Sequence, residues 1–449
     1  MKPDFPAPGI AYIGAVAHRD GHEVKLIDGS LRGHATTIKE VCDFSPNLIG
    51  ITCWTLGREQ VWKLAASLKE LLPRTRLVLG GQHPTFLPRH IFMKTHAIAI
   101  VLGEGEVTFS ELLKTLESMG DLKNVPGLAL PDGNGGVFFT AKRASIDDLD
   151  CIPMPYYDGY KDFDFTDYEG FPALPKPTAA VISSRGCIFE CTYCASVQFW
   201  GKRWRFRSHE NVLDELEMLV KKHRVKSIFF FDDNFLVRRS RAEAICQGII
   251  DRSLNIKWAC VCHVKMIVDI DLLNLMKASG CVSIDFGVES GSDKILRNIN
   301  KKQTRADIER AFALIRQAGL EARAYLMVGN KGEDEASIDE TIEMVKIIKP
   351  RHSFSGAALL LLFPGTSTYA EAVANGFVND DYWLDHDDVP YNLQEHSYEE
   401  LCRLRERLMY GIAKGQGGIF PLISYHLKKT YYKYPRLSVF RSMVPNIFR

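Results

Sequence analysis
Cys187-Ile188-Phe189-Glu190-Cys191-Thr192-Tyr193-Cys194 follows Gly186 and the short apolar stretch Ala179–Ser183. Three thiolates at this spacing in one loop suit three irons of a [4Fe–4S] cluster and leave the fourth iron open. An open iron can chelate the amino and carboxylate groups of a bound molecule. The competing readings are a zinc knuckle and buried core thiols. Zinc wants a fourth cysteine or histidine nearby, and the nearest downstream is His209.

Working outward, Ala179–Ser183 opens a series of strand and helix patterns. Further strands are predicted at Ser227–Phe231, Lys257–Cys262, Ser283–Gly287, Glu321–Val328 and Ser353–Leu362. Helical periodicity separates them, at about 208–223, 240–253, 271–279, 292–299, 304–318 and 337–348. Six such units predict a partial, TIM-like (β/α)6 barrel with its site at the carboxyl ends of the strands. Ser337–Glu340 reads as a capping box. Cys260, Cys262 and Cys281 read as core thiols or, against that, a second metal site.

Upstream, helices are predicted at Gly9–His18, Thr37–Phe44, Glu59–Leu72 and Phe109–Met119, the last behind a Thr108–Glu111 capping box. Strands are predicted at His22–Asp28, Leu48–Cys53 (buried), Arg76–Leu79 and Ile98–Leu102. This alternation predicts a parallel Rossmann- or flavodoxin-like α/β sheet. Glycine-rich turns, Gly80-Gly81 and Gly103-Glu104-Gly105-Glu106, close its last two strands. Asn124–Asp164 reads as a link carrying a hairpin turn at Pro131–Gly136.

The chain has 449 residues, 46% hydrophobic and 25% charged, with Lys plus Arg 56 against Asp plus Glu 55. That balance excludes a disordered or collagenous chain and offers no global attraction to a polyanion. No apolar run is long enough for a membrane span, and the first residues lack a signal-peptide core. Eleven cysteines without an export signal suggest a reducing cytoplasm. The charge is uneven. Leu401–Arg449 carries ten bases and one acid, Glu406, interleaved with Tyr and Phe. This tail either packs on the barrel or makes a weak, salt-sensitive contact with an anionic membrane surface.

The Cys187–Cys194 motif after the first strand of a βα barrel resembles the radical S-adenosylmethionine superfamily. Tyr193 supplies that family's aromatic before the last cysteine. The resemblance implies a [4Fe–4S] cluster on Cys187, Cys191 and Cys194, which reduces S-adenosylmethionine to a 5′-deoxyadenosyl radical. It implies an electron donor such as ferredoxin or flavodoxin. Asp232 or Asp233, after the second strand, falls where the family holds the methionine ammonium. Glu289 and Ser290 belong to a G-V-E-S turn that reaches S-adenosylmethionine. Lys301 or Lys302 falls where a cation pairs with the methionine carboxylate. His263 stands where relatives place an arginine, and Lys331 replaces the proline of a G-x-P-G-E turn.

The upstream turns are similar to those of cobalamin-binding domains fused to such barrels. The resemblance assigns Thr55, Gly80, Gly81, His83, Thr85, Gly103, Glu104, Gly105 and Glu106 to cobalamin. Relatives begin with a strand that has no counterpart before Pro8. No D-x-H-x-x-G motif exists, so cobalt would lack a lower histidine, and the loop Cys53–Leu56 would lie beneath it. The domains expected are 1–125, binding cobalamin; 126–172, a linker; 173–370, the barrel; and 371–449, basic, aromatic and mainly helical. The activity implied is a C-methyltransferase acting on an unactivated carbon through methylcobalamin and the deoxyadenosyl radical. Alternatives are oxidative cyclisation or another C–H oxidation, then methylthiolation of nucleic acid, then cobalamin carriage. Small-molecule, lipid and peptide substrates all fit, and nucleic acid lacks a recognisable module.

Overall fold
The computed structural model describes residues 3–160, 164–350 and 357–415. The first sheet contains β1 (Leu48–Thr52), β2 (Arg76–Gly80), β3 (Ala99–Val101), β4 (Leu128–Pro131) and β5 (Val137–Phe139), in that spatial order. β1, β2 and β3 pair in parallel. β4 and β5 continue the sheet antiparallel, so the predicted hairpin extends the first sheet where a free link was expected. Alternate residues of β2 serve opposite cores. Leu77 and Leu79 pack with Ile91 and Ile100, while Val78 packs with Phe109 and Leu112.

Three expectations for this half are corrected. His22–Asp28 forms no strand of the sheet; Leu26 makes a lone bridge to Tyr160. Strand propensity needs a neighbouring ladder, and no described strand lies between this stretch and β1. For the same reason β1 is a half-exposed edge, with Gly50 open to solvent, and is not buried. The third, the Thr108–Glu111 capping box, fails because the helix begins earlier, at Glu106. Thr108 then lies inside it and bonds Pro126 O and Arg143, and Glu111 also bonds Arg143.

The second sheet begins with β6 (Thr178–Val181). Next come β7 (Ser184–Arg185) and β8 (Arg205–Phe206), an antiparallel pair whose intervening loop carries the three cysteines. The series continues with β9 (Ser227–Phe230), β10 (Lys257–Cys262), β11 (Cys281–Glu289), β12 (Glu321–Val328) and β13 (Ala357–Leu359). All but the β7–β8 pair form one six-stranded sheet, each strand parallel to its neighbours, in the order β13-β12-β11-β10-β9-β6. Part of the last predicted strand falls on residues outside the description.

Trp258, Cys260 and Cys262 of β10, with Ile284 and Phe286 of β11, pack in the large core that also holds the helices' apolar faces. Cys260 and Cys262 are therefore core thiols, 3.8 Å apart, and their burial pushes the Cys260 thiol well up. Ala259 and Val261 point the other way, onto Phe171 and Phe229 inside the curl. The capping box expected at Ser337–Glu340 sits one turn earlier, with Asp334 as cap and Ser337 as its reciprocal partner.

Residues 360–390 return to the first domain. Leu362, Tyr369 and Trp383 pack with Leu87, and Phe86 joins them. Arg58 is fully buried there. It donates to the carbonyls of Thr55 (2.9 Å), Asp388 (3.0 Å), Trp383 and His386, and its guanidinium stands 5.0 Å from the Trp383 ring centre. Arg58→Met would leave those carbonyls unpaired, at a cost on the order of 3 kcal/mol. The expected result is a lower thermal midpoint and faster limited proteolysis within 360–390. Unchanged proteolysis would show that the segment holds without this arginine.

The last described helix, Tyr398–Gly415, is capped by Ser397 and Glu400, which bond reciprocally. No described helix is long and apolar enough to cross a membrane. The basic tail beyond Gly415 lies outside the described residues.

Candidate functional site
The cysteine loop leaves β7 through Gly186, whose φ is +87°. A side chain there would strain the turn and would meet Arg203 O at 3.0 Å. The loop backbone is fixed from outside. Thr192 N donates to Ile299 O (3.1 Å), Asn300 Nδ2 donates to Glu190 O (2.7 Å), and Phe189 stacks on His263 at 3.8 Å. Cys187 and Cys191 are half-buried, Cys194 is exposed, and all three are free thiols. Burial is the main influence on Cys187 and Cys191 and raises the pKa of both thiols. A bound metal centre would reverse that, since its charge favours thiolate. Among the described residues no three His, Cys, Asp or Glu side chains are gathered as a single-ion site. Three free thiols in an open loop fit a larger iron–sulfur cluster.

Beside the loop, β11 ends on Glu289, held at φ +64°. Left-handed backbone at a non-glycine residue is strained and persists only where contacts over-determine it. Tyr193 Oη donates to Glu289 Oε1 (2.8 Å), and Lys301 Nζ donates to Tyr193 Oη (2.7 Å) and Glu289 Oε1 (3.2 Å). Burial opposes the lysine's charge, but Glu289 and then Cys191 outweigh it and raise the Lys301 pKa. Lys302 is exposed. His263 is buried, Nε2 bonded to Lys301 O (2.9 Å), and burial lowers its pKa to about 4. It is a neutral strut between the loop and Lys301.

The two aspartates after β9 separate. Asp232 is buried and accepts from Ser183 N (2.6 Å) and Ser184 N (2.9 Å), so it braces backbone. Asp233 is exposed and accepts from Ser196 Oγ (2.6 Å), two residues past Cys194. Ser290 turns its hydroxyl to Thr341 and does not face the loop. The structure thus brings together the cysteines, Tyr193, Asp233, His263, Glu289 and Lys301, and it leaves Asp232 and Ser290 outside that group.

At the carboxyl edge of the first sheet, Gly80 ends β2 and Gly81 turns with φ +99°. A side chain at Gly81 would meet Cys53 O at 2.9 Å. Thr85 Oγ1 donates to Gly81 O (2.7 Å) and accepts from Gly103 N (3.0 Å), tying the two glycine turns together. His83 Nδ1 lies 3.4 Å from Thr55 Oγ1, while its buried Nε2 has no hydrogen-bond partner. Burial takes its pKa to about 3, so it is a neutral imidazole. Trp54 and Leu56, on either side of Thr55 in the chain, are 54% and 66% exposed. Exposed apolar side chains beside two joined glycine turns on a strand-end edge fit a large, partly apolar ligand.

Gly105 packs against Ile13, where a Cβ would approach to 2.8 Å, and so serves helix packing. Glu104 and Glu106 point elsewhere, into ion pairs with Arg185 and Arg205. Those arginines were missed in the sequence. The segment they bound also carries Glu190, Lys202 and Arg203, so nothing in the sequence singles these two arginines out.

The Radical SAM superfamily model matches residues 181–345, and the B12 binding domain model matches residues 1–113. An uncharacterized methyltransferase of Pyrococcus horikoshii is 31% identical over 404 residues, 89% of this chain and 86% of that protein. The anaerobic magnesium-protoporphyrin IX monomethyl ester cyclase of Rubrivivax gelatinosus is 28% identical, over 77% of this chain and 63% of its own. Among solved structures, the radical S-adenosylmethionine methyltransferase TsrM from Kitasatospora setae superposes with a TM-score of 0.70 at 18% identity. That match covers 82% of this chain and 74% of TsrM, and it shares the fold.

Proposed function
This chain belongs to the cobalamin-binding branch of the radical S-adenosylmethionine enzymes, and from that premise we propose that it is a C-methyltransferase acting on an unactivated carbon. The observation that carries the proposal is the Tyr193–Glu289–Lys301 group seated against the free-thiol loop. When bound, the [4Fe–4S] cluster with S-adenosylmethionine supplies a hydrogen-abstracting radical, and cobalamin supplies the methyl group.

The chain's own residues do the holding. Cys187, Cys191 and Cys194 would ligate three irons. Lys301 has three N–H donors and uses two on Tyr193 and Glu289, leaving one for a carboxylate. Asp233, exposed beside the start of the helix that follows Cys194, suits an ammonium. The Gly81 and Gly103 turns would take the edge of the corrin, and the loop with Trp54 and Leu56 its lower face. Electrons would come from a low-potential donor of the ferredoxin or flavodoxin class.

Untargeted mass spectrometry of a deletion strain against its parent tests the activity and reports the substrate class. A metabolite that appears in the mutant and lacks one methyl group supports the proposal. The cyclase relative motivates the second reading. A metabolite differing by two hydrogens or one oxygen would favour it.

A spectroscopic prediction follows for cobalt. Among the described residues the loop after β1 offers Trp54 and Leu56 beside the buried Thr55, and no histidine. Electron paramagnetic resonance of the protein's cob(II)alamin form is expected to show no nitrogen splitting from a lower ligand. A clear nitrogen triplet would refute the histidine-free assignment.

A further inference from the structure
The cysteine loop hangs from the β7–β8 pair, in which Arg185 stands opposite Arg205. Everything between these two residues, including all three cysteines, depends on that root for its placement. Neither guanidinium turns to an acid of its own barrel. Arg185 Nη1 donates to Glu104 Oε1 (2.9 Å) and Glu106 Oε2 (3.2 Å), and its Nη2 donates to Glu106 Oε1. Arg205 Nη1 donates to both Glu104 oxygens (2.8 and 2.7 Å) and to Ile146 O (2.7 Å). Its Nη2 donates to Trp200 O (3.0 Å). Glu104 also accepts from Ile146 N (3.0 Å).

The four side chains carry balanced charge, and none is more than 8% exposed. Glu104 lies in the turn after β3, the same turn that Thr85 fastens to Gly81, and Glu106 opens the helix that follows it. The Arg185 guanidinium also lies 5.3 Å from the Trp200 ring, in the helix that leaves the loop. Forked guanidinium–carboxylate pairs fix angle as well as distance. A buried ion group of this kind contributes little net stability compared with apolar packing, so its specific geometry calls for another account.

We propose that Arg185 and Arg205, clasped by Glu104 and Glu106, are positioning residues that set the distance and orientation between the cysteine loop and the carboxyl edge of the first sheet. The proposal rests on the reading above, that the loop holds a cluster and the edge holds cobalamin. Reactions between two held groups are sensitive to displacements of about 1 Å, so a loosened root would change the spacing without removing a ligand.

The test uses the full chain, reconstituted with iron and sulfide and loaded with hydroxocobalamin. Wild type is compared with Arg185→Lys, with Arg205→Lys and with the exchanged pair Glu106→Arg/Arg185→Glu. Iron and cobalamin per chain are measured first. Pulsed electron paramagnetic resonance then reads the dipolar coupling between the reduced cluster and cob(II)alamin. The lysine variants are expected to keep both groups while the distance distribution broadens about twofold, and the exchanged pair to narrow it again. A wild-type-narrow distribution in both lysine variants overturns the proposal. So does loss of iron in every variant, because the arginines would then only keep the loop folded. Should wild type take up neither group, the functional reading fails separately. Hydrogen exchange over residues 187–200 of the apoprotein then decides the proposal, rising in Arg185→Lys if it holds and unchanged if it does not.

Discussion

Alanine at Cys187, Cys191 and Cys194 together is expected to strip the protein of its iron, its thiolate-to-iron absorption and all 5′-deoxyadenosine formation. The expectation is large because these three sulfurs are the cluster ligands the loop offers. It is also clean. The loop is held by backbone bonds from Thr192 to Ile299 and by Asn300 to Glu190, none of which involves a thiol. The variant should therefore fold, and its far-ultraviolet dichroism should match that of wild-type apoprotein. Stability sharpens the reading further. A group that binds only the folded state raises stability by mass action. Reconstitution should raise the wild-type midpoint and leave the triple variant where the apoprotein unfolds. About four irons per chain are expected in the wild type if one cluster is bound. Retention of iron by the triple variant would sink the assignment, and uptake of a single zinc by wild type would replace it.

The parts of this fold that were legible are those decided by local apolar runs. The predicted bounds of the third and fifth barrel strands, Lys257–Cys262 and Glu321–Val328, coincide with β10 and β12. β10 is buried along most of its length, and β12 alternates, with Ala322, Ala324 and Leu326 buried between more exposed Glu321, Arg323 and Tyr325; either pattern is readable locally. His22–Asp28 has comparable strand character, yet it fails because pairing requires a neighbour at β1's open edge. The Ser337–Glu340 capping box sits one register away from the observed one because Asp334, Ser337 and Glu340 offer two overlapping patterns, and the buried Ser337 belongs to the earlier one.

The site divides in the same way. Cys187, Cys191, Cys194 and Tyr193 lie within one loop, so spacing alone exposes them. Glu289 and Lys301 are separable from Ser290 and Lys302 only once a bulge in β11 and a left-handed residue decide which side chains face the loop. Glu104 and Glu106 were assigned to a ligand because their partners lie some eighty to a hundred residues away, and no pattern in the turn itself names them.

Lys301→Met should separate the cluster from the molecule it binds. Methionine keeps an unbranched apolar stem of similar reach, so the packing around Tyr193 is preserved while the charge is lost. The third donor of Lys301, the one not spent on Tyr193 or Glu289, is lost with it. A hydrogen bond to a charged group contributes about 1.5–3 kcal/mol, so S-adenosylmethionine should bind roughly 10- to 100-fold more weakly. Iron content should not change, because no cysteine is touched. A second effect accompanies the first. Glu289 has only 10% of its side chain exposed and would keep Tyr193 as its remaining partner. Removing one member of a buried pair costs about 3–5 kcal/mol, so the thermal midpoint should fall as well. The double variant Glu289→Gln/Lys301→Met removes the stranded charge and should recover most of the midpoint. It should recover none of the affinity, since the donor for the carboxylate is still missing. Affinity returning together with stability would show that Lys301 serves only the Glu289 turn, and wild-type affinity in Lys301→Met would exclude it from the binding site altogether.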